Sequence, residues 1–400
     1  MLQAKLNNGS LITLATLTKE EILQIKKRQE VFYCPLCSSQ VIMKAGTKMI
    51  PHFAHLSSVD CLSHEGGEGP YHEQGKLLLY QWLKSQRLNV TLEAYIPEIS
   101  QRPDLLLVLN EKRIAIEYQC ARIPIEQIRH RNKGYKRAGI TPIWIIGATR
   151  LKRQTKNHVK IDQFTRHFIN QFSPADPQIL FYFCPHTLQF ITIQDLYFTG
   201  MGQAIGKIQS AKLHQINFKE IFKKYPFSKR EILQLWKKEK RQFRLKQRKR
   251  LYGSELAWHQ WLYLKRTHVE LLPSIIHLPI ASQHRMNSPT WNWQSRLCID
   301  LLDPLQLSDH FSLHSCKQLL QKHINHSASF PLIASTEDPI EHYLQFLALL
   351  KIIEQQSSGH YQKIKTIRFH KNINAALIGD NDVIRQLLEN HKQNTSMFHR

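Results

Sequence analysis

The chain has 400 residues, with 55 lysines and arginines against 31 aspartates and glutamates and a formal charge of +24. That excess is larger than solubility requires and favours a polyanionic partner, because protein cations release counterions from a phosphate backbone. Seven cysteines fit a reducing compartment better than a disulfide framework. Neither a charged-then-apolar leader nor an apolar run of about 18 residues is read, so a cytoplasmic protein of two or three domains is expected, with no membrane insertion.

Near the start, Leu11-Ile12-Thr13-Leu14-Ala15 reads as part of a strand pair, and Thr18-Lys19-Glu20-Glu21 has the spacing of a capping box that opens a helix. Cys34-Pro35-Leu36-Cys37 places two thiolates on one tetrahedral edge, as a zinc knuckle does. His52-Phe53-Ala54-His55 follows, and His52 and His55 are the expected remaining ligands of a structural zinc. Cys61 and His64 are rivals for those last two places. These features make residues 1–64 a β-rich module.

Residues 71–83 carry Leu78, Leu79, Trp82 and Leu83 at helical spacing, which brings His72, Glu73 and Lys76 near one another. Residues 89–96 read as a strand. The apolar run 105–109 lies between Pro103 and the turn Asn110-Glu111, and 113–119 then alternates, so two adjacent strands are expected. Side chains alternate along a strand, so Glu117 and Gln119 share a face that Ile116 and Tyr118 do not. Beside Asp104 from the preceding strand, Glu117 makes a hard-oxygen site for Mg²⁺ or Mn²⁺. A helix over 125–138 and a buried strand over 143–147 complete a parallel crossover. On that helix Arg131, Lys133, Tyr135 and Lys136 are expected to meet a nucleic-acid strand. The order α-β-β-β-α-β defines a domain over 65–165.

Beyond it, Cys184-Pro185-His186 reads as a turn between strands at 179–183 and 189–193. Residues 218–250 are dominated by cations, among which Lys237, Lys238, Arg241, Arg244 and Arg248 are expected to contact phosphates. Phe222, Tyr225 and Trp236 in that stretch suit either base stacking or a helical core stripe, and the core reading is favoured. The hairpin and the basic segment together occupy 166–250. Residues 251–400 read as mainly helical, clearest at 254–265 and 341–355. His310, His314, His323 and His326 have no cysteine or carboxylate cluster beside them and are read as surface or core histidines.

The acid before one strand and the Glu117-Tyr118-Gln119 of the next resemble the PD-(D/E)xK nuclease superfamily, with glutamine where those enzymes carry a lysine. Glutamine holds water but adds no positive charge, which leaves that role to a cation such as Lys133 or Lys136. Taken together, the Cys-Pro-Leu-Cys knuckle, Pro51-His52-Phe53-Ala54-His55, Tyr71-His72-Glu73, Arg102-Pro103-Asp104, Glu117-Tyr118-Gln119 and Thr141-Pro142-Ile143-Trp144-Ile145-Ile146 resemble the competence protein CoiA family. The resemblance implies an α/β chain with a restriction-endonuclease-like core, an N-terminal zinc-knuckle module and a mainly helical C-terminal region. It also implies a bacterial cytoplasmic protein, made during competence, that promotes recombination of incoming single-stranded DNA alongside recombination proteins. Carried over by position, Asp104, Glu117 and Gln119 are the motif residues and Glu73 is the helix acid. Two expectations follow: Mg-dependent phosphodiester hydrolysis, or a DNA-binding module without catalysis that recruits or loads the recombinase.

Overall fold

The computed structural model describes residues 1–46, 50–56, 61, 69–246, 250–326 and 329–390. It divides into two compact units, one of Met1–Leu151, Leu180–Thr192 and Gln209–Lys223, the other of Lys152–Ile179, Ile193–Ile208 and Lys224–Arg400.

The first unit opens with a five-stranded sheet. Its strands are β1 (Gln3–Lys5), β2 (Leu11–Thr13), β3 (Phe32–Tyr33), β4 (Gln40–Lys44) and β5 (His52–His55), in the order β2-β1-β3-β4-β5 with antiparallel pairing throughout. Helix α1 (Lys19–Lys27) starts at the capping box read above: the Thr18 hydroxyl accepts from the Glu21 amide, and the Glu21 carboxylate accepts from the Thr18 amide. Phe32, Val41, Phe53 and Ile25 pack into one small core that also takes in Cys34 and Cys61.

The remainder of this unit follows the expected order, α2 (Pro70–Ser85), β6 (Asn89–Leu92), β7 (Leu105–Leu109), β8 (Lys112–Gln119), α3 (Ile125–Arg137) and β9 (Ile140–Gly147). Strands β6, β7 and β8 are antiparallel neighbours, and β9 lies parallel to β8 with the strand Ile179–Cys184 parallel to β9. Asn110 and Glu111 both hold positive φ, 47° and 65°, the backbone that a two-residue hairpin needs to match strand twist. β6 stops at Leu92 because Glu93 turns to φ 48°. Residues 185–188 form the turn expected after Cys184.

Alternation along β8 assigns the two helices to opposite faces. Tyr118 packs under α2 at Gly75, whereas Ala115 joins a cluster with Tyr135 of α3. At Gly75 a Cβ would collide with the Tyr118 ring, so glycine there is a packing requirement and not a loop signal. Gly75→Ala is expected to lift α2 from the sheet and lower stability by about 1–3 kcal/mol, read from a urea unfolding curve; an unchanged midpoint would mean Tyr118 has another place to go.

In the second unit, the helices Lys229–Leu245, Gly253–Leu264, Pro339–Leu349 and Ile373–Asn390 surround a large apolar core. Its three fully buried tryptophans each place the indole N–H on an acceptor: Trp236 on His277 O, Trp258 on Ser295 Oγ and Trp293 on Gln283 Oε1. A buried indole is stable only with such a partner. The expected helix over 341–355 is shorter than its apolar pattern suggested. It ends at Leu349, Lys351 turns to φ 54°, and Ile353–Ser357 is a strand paired with His360–Lys363. Ile353 therefore reaches the core from a strand, since an apolar side chain spaced to continue a helix can also start a strand. Among the described residues, no helix is long and apolar enough to cross a membrane.

Candidate metal centre and acidic cleft

Two constellations in the first unit carry chemistry. The first brings together Cys34, Cys37, His55 and Cys61, whose ligand atoms all lie within 4.8 Å of one another. The knuckle is a tight turn: the Ser38 amide donates to Cys34 O (3.0 Å), the Cys34 amide to Ser39 O (2.8 Å), and Ser38 itself sits at φ 55°. Cys34 Sγ lies 3.7 Å from Cys61 Sγ, and Cys37 Sγ lies 3.4 Å from His55 Nε2. Zinc–sulfur bonds of about 2.3 Å and zinc–nitrogen bonds of about 2.0 Å give tetrahedral edges of about 3.8 and 3.5 Å. Three sulfurs and one imidazole at these spacings fit a structural zinc. Burial pushes the Cys34 thiol up to about 11. At Cys37 burial is outweighed by hydrogen bonds from Ser39, His55 and Cys61, which bring that thiol down to about 6.

His52, expected as a ligand, is not in this set. It stands three positions before His55 on β5, so strand alternation turns it to the other face, and its Nδ1 lies 2.9 Å from Ile50 O. Cys61 takes the fourth place, and His64 lies outside the described residues. His55→Ala is expected to strip purified protein of about one zinc per chain, whereas His52→Ala retains it; metal analysis that found zinc lost from both would restore the histidine pair.

The second constellation sits at the end of the β6-β7-β8 sheet. Leu92 pairs with Leu105, and Leu105 with Ile116. One step further along, Glu93, Asp104 and Glu117 form a row across the three strands. The Asp104 carboxylate accepts from the Tyr118 amide (2.8 Å) and meets His72 Nε2 at 3.4 Å, with the His72 ring stacked on Tyr118. Glu117 is 4% exposed; its Oε1 accepts from Arg131 Nε (3.0 Å), Arg131 Nη2 (2.7 Å) and the Tyr135 hydroxyl. Burial lifts the Glu117 carboxyl above the usual range; Arg131 pulls it back, while the charge of Asp104 adds to the lift. Asp104 thus meets residues of α2 and Glu117 meets residues of α3. Both line one cleft of about 510 Å³, whose wall includes Arg102, Gln119, Arg122 and Leu36 of the zinc knuckle.

Behind the cleft lies an ion cluster that the sequence did not disclose. Lys76 is fully buried and its ammonium lies 2.6 Å from Glu93, 3.5 Å from Glu73 and 3.8 Å from Asp104. Arg102 and the Leu2 amide reach the other oxygen of Glu93, at 3.6 and 3.0 Å. Glu73, the helix acid, is a member of this buried cluster. The available signal was Glu93 itself, an acid that directly follows an apolar alternation just as Asp104 directly precedes one.

Other expected positions divide by burial. Lys133 and Lys136 are exposed on α3, but Tyr135 is buried and spends its hydroxyl on Glu117, and Arg131 spends its guanidinium on Glu117 and Arg102 O. Neither is presented as a loose phosphate contact. Gln119 donates its amide to Ala121 O at 2.7 Å. In the second unit Lys237, Lys238 and Arg241 are exposed along the helix Lys229–Leu245. Arg244 is 4% exposed and donates to Asp380, Val269 O and Leu272 O, because it falls on the apolar face with Ile232, Leu233, Trp236 and Phe243. It is a structural cation and not a DNA contact; Arg248 lies outside the described residues.

Comparison with known proteins adds to this geometry. Three family models match consecutive stretches of the chain: the competence protein CoiA N-terminal domain over residues 14–64, its nuclease-like domain over 68–226 and its C-terminal domain over 232–377. A protein of Bacillus subtilis (strain 168) described as competence protein CoiA is 31% identical over 284 residues, covering 70% of this chain and 74% of that protein. No solved structure matches the chain.

Proposed function

This chain belongs to the competence protein CoiA family, and on that premise we propose that it processes incoming single-stranded DNA for recombination in the cytoplasm, by Mg²⁺- or Mn²⁺-dependent phosphodiester hydrolysis in a restriction-endonuclease-like domain. The observation that carries this reading is the placement of Asp104, directly before β7, and Glu117 of the neighbouring β8 in the wall of one cleft. Their donor set fits a hard divalent ion: two carboxylates side by side, the charge of Asp104 adding to the lift that burial gives the Glu117 carboxyl. Such an ion, when bound, polarises a phosphate and lowers the pKa of a coordinated water.

The chain's own residues supply the rest. The Gln119 amide nitrogen is committed to Ala121 O, which leaves its carbonyl oxygen to orient a water proton. Arg102 and Arg122 in the cleft wall supply the positive charge that glutamine lacks. Lys133 and Lys136 on α3, and separately Lys237, Lys238 and Arg241 in the second unit, track the phosphate backbone. Recombination proteins are the expected partners.

A second reading rests on a specific contact. Arg131 and Tyr135 already satisfy Glu117 Oε1, so a protein cation stands where a metal-dependent nuclease needs an open carboxylate. On that reading the cleft holds DNA without cutting it and delivers the strand to the recombinase. Incubating the purified protein with labelled single- and double-stranded DNA, with and without Mg²⁺ or Mn²⁺, separates the two. Metal-dependent shortening of the strand supports hydrolysis. Retention of intact strands under every metal condition overturns it in favour of the holding module.

A further inference from the structure

Trp236 and Phe243, aromatic residues of the basic segment, turn into the core of the second unit, so they are closed to stacking. The two tyrosines that follow the segment are open: Tyr252 is 69% exposed and Tyr263 74%. Both belong to the helix Gly253–Leu264, Tyr252 as its N-terminal cap. At about 100° per residue, Tyr252, Leu256, Gln260 and Tyr263 share one face, which Ala257 and Leu264 adjoin. All of these are exposed, Leu264 at 77%. Trp258 and Leu262, on the opposite side, are buried in the core.

The outward side of a surface helix is ordinarily its charged side. Here, in a chain of formal charge +24, the outward side carries no charge, and the acid of the helix, Glu255, lies half-buried off that face. Scattered apolar side chains at a surface need no explanation, whereas a contiguous row of them marks an interaction surface. The charges stand at the two ends: Arg250 is exposed before the helix, and Lys265 and Arg266 are exposed after it. Lys265 also pairs with Asp300 at 2.8 Å. An uncharged, partly aromatic face bracketed by cations complements a ligand that has flat apolar rings on a negative backbone. It does not suit a second copy of this chain, which would bring like charge against it.

We propose that the outward face of the helix Gly253–Leu264 is a base-stacking surface for single-stranded DNA, with Tyr252 and Tyr263 as its platforms and Arg250 and Arg266 meeting phosphates on either side. A rise of about 1.5 Å per residue sets the two rings about 16 Å apart along the axis, a span of about five nucleotides at a stacked spacing of about 3.4 Å. Single strands are selected because their bases are open to an aromatic ring, whereas the bases of a duplex already cover one another. Leu256 and Leu264 border the rings and exclude water from the stacked bases. This surface rests on the reading of the chain as a handler of single-stranded DNA, and it holds whether or not the strand is cut.

The test is fluorescence anisotropy of the full-length protein at fixed salt, without added Mg²⁺ or Mn²⁺, against labelled oligo(dT), an abasic strand of the same length and a duplex. Tyr252→Leu and Tyr263→Leu are each expected to weaken oligo(dT) binding about tenfold, within the range for loss of one base–aromatic stack. Leucine keeps the face apolar, so the loss reports the ring. Affinity for the abasic strand and the duplex should stay as it was, and Tyr263→Phe, which keeps the ring, should bind oligo(dT) like the original protein. A circular dichroism spectrum confirms that each variant is folded. Unchanged oligo(dT) affinity in the double leucine variant overturns the proposal and leaves the DNA reading standing. An equal loss on the abasic strand also overturns it, by making the contact one to the backbone. If the original protein binds no oligo(dT), this surface and the reading beneath it both fail. A dimer that the double variant dissociates, with oligo(dT) affinity unchanged, assigns the face to a second copy.

Discussion

Asp104→Asn is expected to lower metal-dependent cleavage by about 10²–10⁴-fold, since loss of a metal ligand removes several kcal/mol of transition-state stabilisation. Asparagine is the informative replacement. It keeps an oxygen to accept from the Tyr118 amide, now at 2.8 Å, so the end of β8 holds its shape while the negative charge disappears. Retention of labelled single strands at fixed salt should not change, because the phosphate-tracking cations lie elsewhere, at Lys133, Lys136, Lys237, Lys238 and Arg241. Cleavage at the original rate in the variant would remove Asp104 from the mechanism. Loss of retention together with cleavage would make the aspartate a structural support for the strand-binding surface.

Lys76→Met should cost about 3–5 kcal/mol of folding stability, the range observed when one member of a buried ion pair is removed and its partners stay charged. The methionine chain fills much of the lysine's volume, so the loss reports charge and not a cavity. Glu93 lies closest to the lysine, at 2.6 Å, and loses the most when it is removed even though Arg102 and the Leu2 amide remain; Asp104 keeps the Tyr118 amide. A second replacement, Glu93→Gln, should therefore recover part of the loss in a double-mutant cycle. Chemical denaturation measures both. A cost below about 1 kcal/mol would be typical of a solvent-exposed pair and would show that water reaches the cluster.

These expectations meet at one structural fact: the acids at the end of the sheet are held by cations from both faces. Lys76 comes from α2 below Tyr118, and Arg131 from α3 beside Ala115 and Tyr135. A sheet that ends in a row of Glu93, Asp104 and Glu117 is unstable unless that repulsion is offset. The fold meets the need partly with buried lysine and arginine. Whether a divalent ion adds to them is what the cleavage assay decides.

Much of the frame was legible along the chain because it depends on neighbours a few residues apart. The Thr18–Glu21 capping box, the turn at Asn110-Glu111, the alternation of β8 and the Cys34–Cys37 knuckle are all local, and each formed where its pattern lay. The same local rule, applied to β5, separates His52 from His55 and was sufficient to reject the histidine pair. Cys61 as fourth ligand was legible only as a rival, since nothing in its own surroundings distinguishes it from His64.

Sequence alone determined most strands and helices of the first unit and which acids stand at strand ends, but not the end of the helix at Leu349, where the apolar pattern ran on into a strand. Tertiary structure decided which charges face solvent. Arg244 looked like the cations around it until Asp380, 136 residues away, came to its side, and Tyr135 looked available until Glu117 claimed its hydroxyl. The reason is one of range: dihedral preference and periodicity act over a turn or a pleat, whereas the cost of burying a charge depends on partners that only folding brings within hydrogen-bond distance.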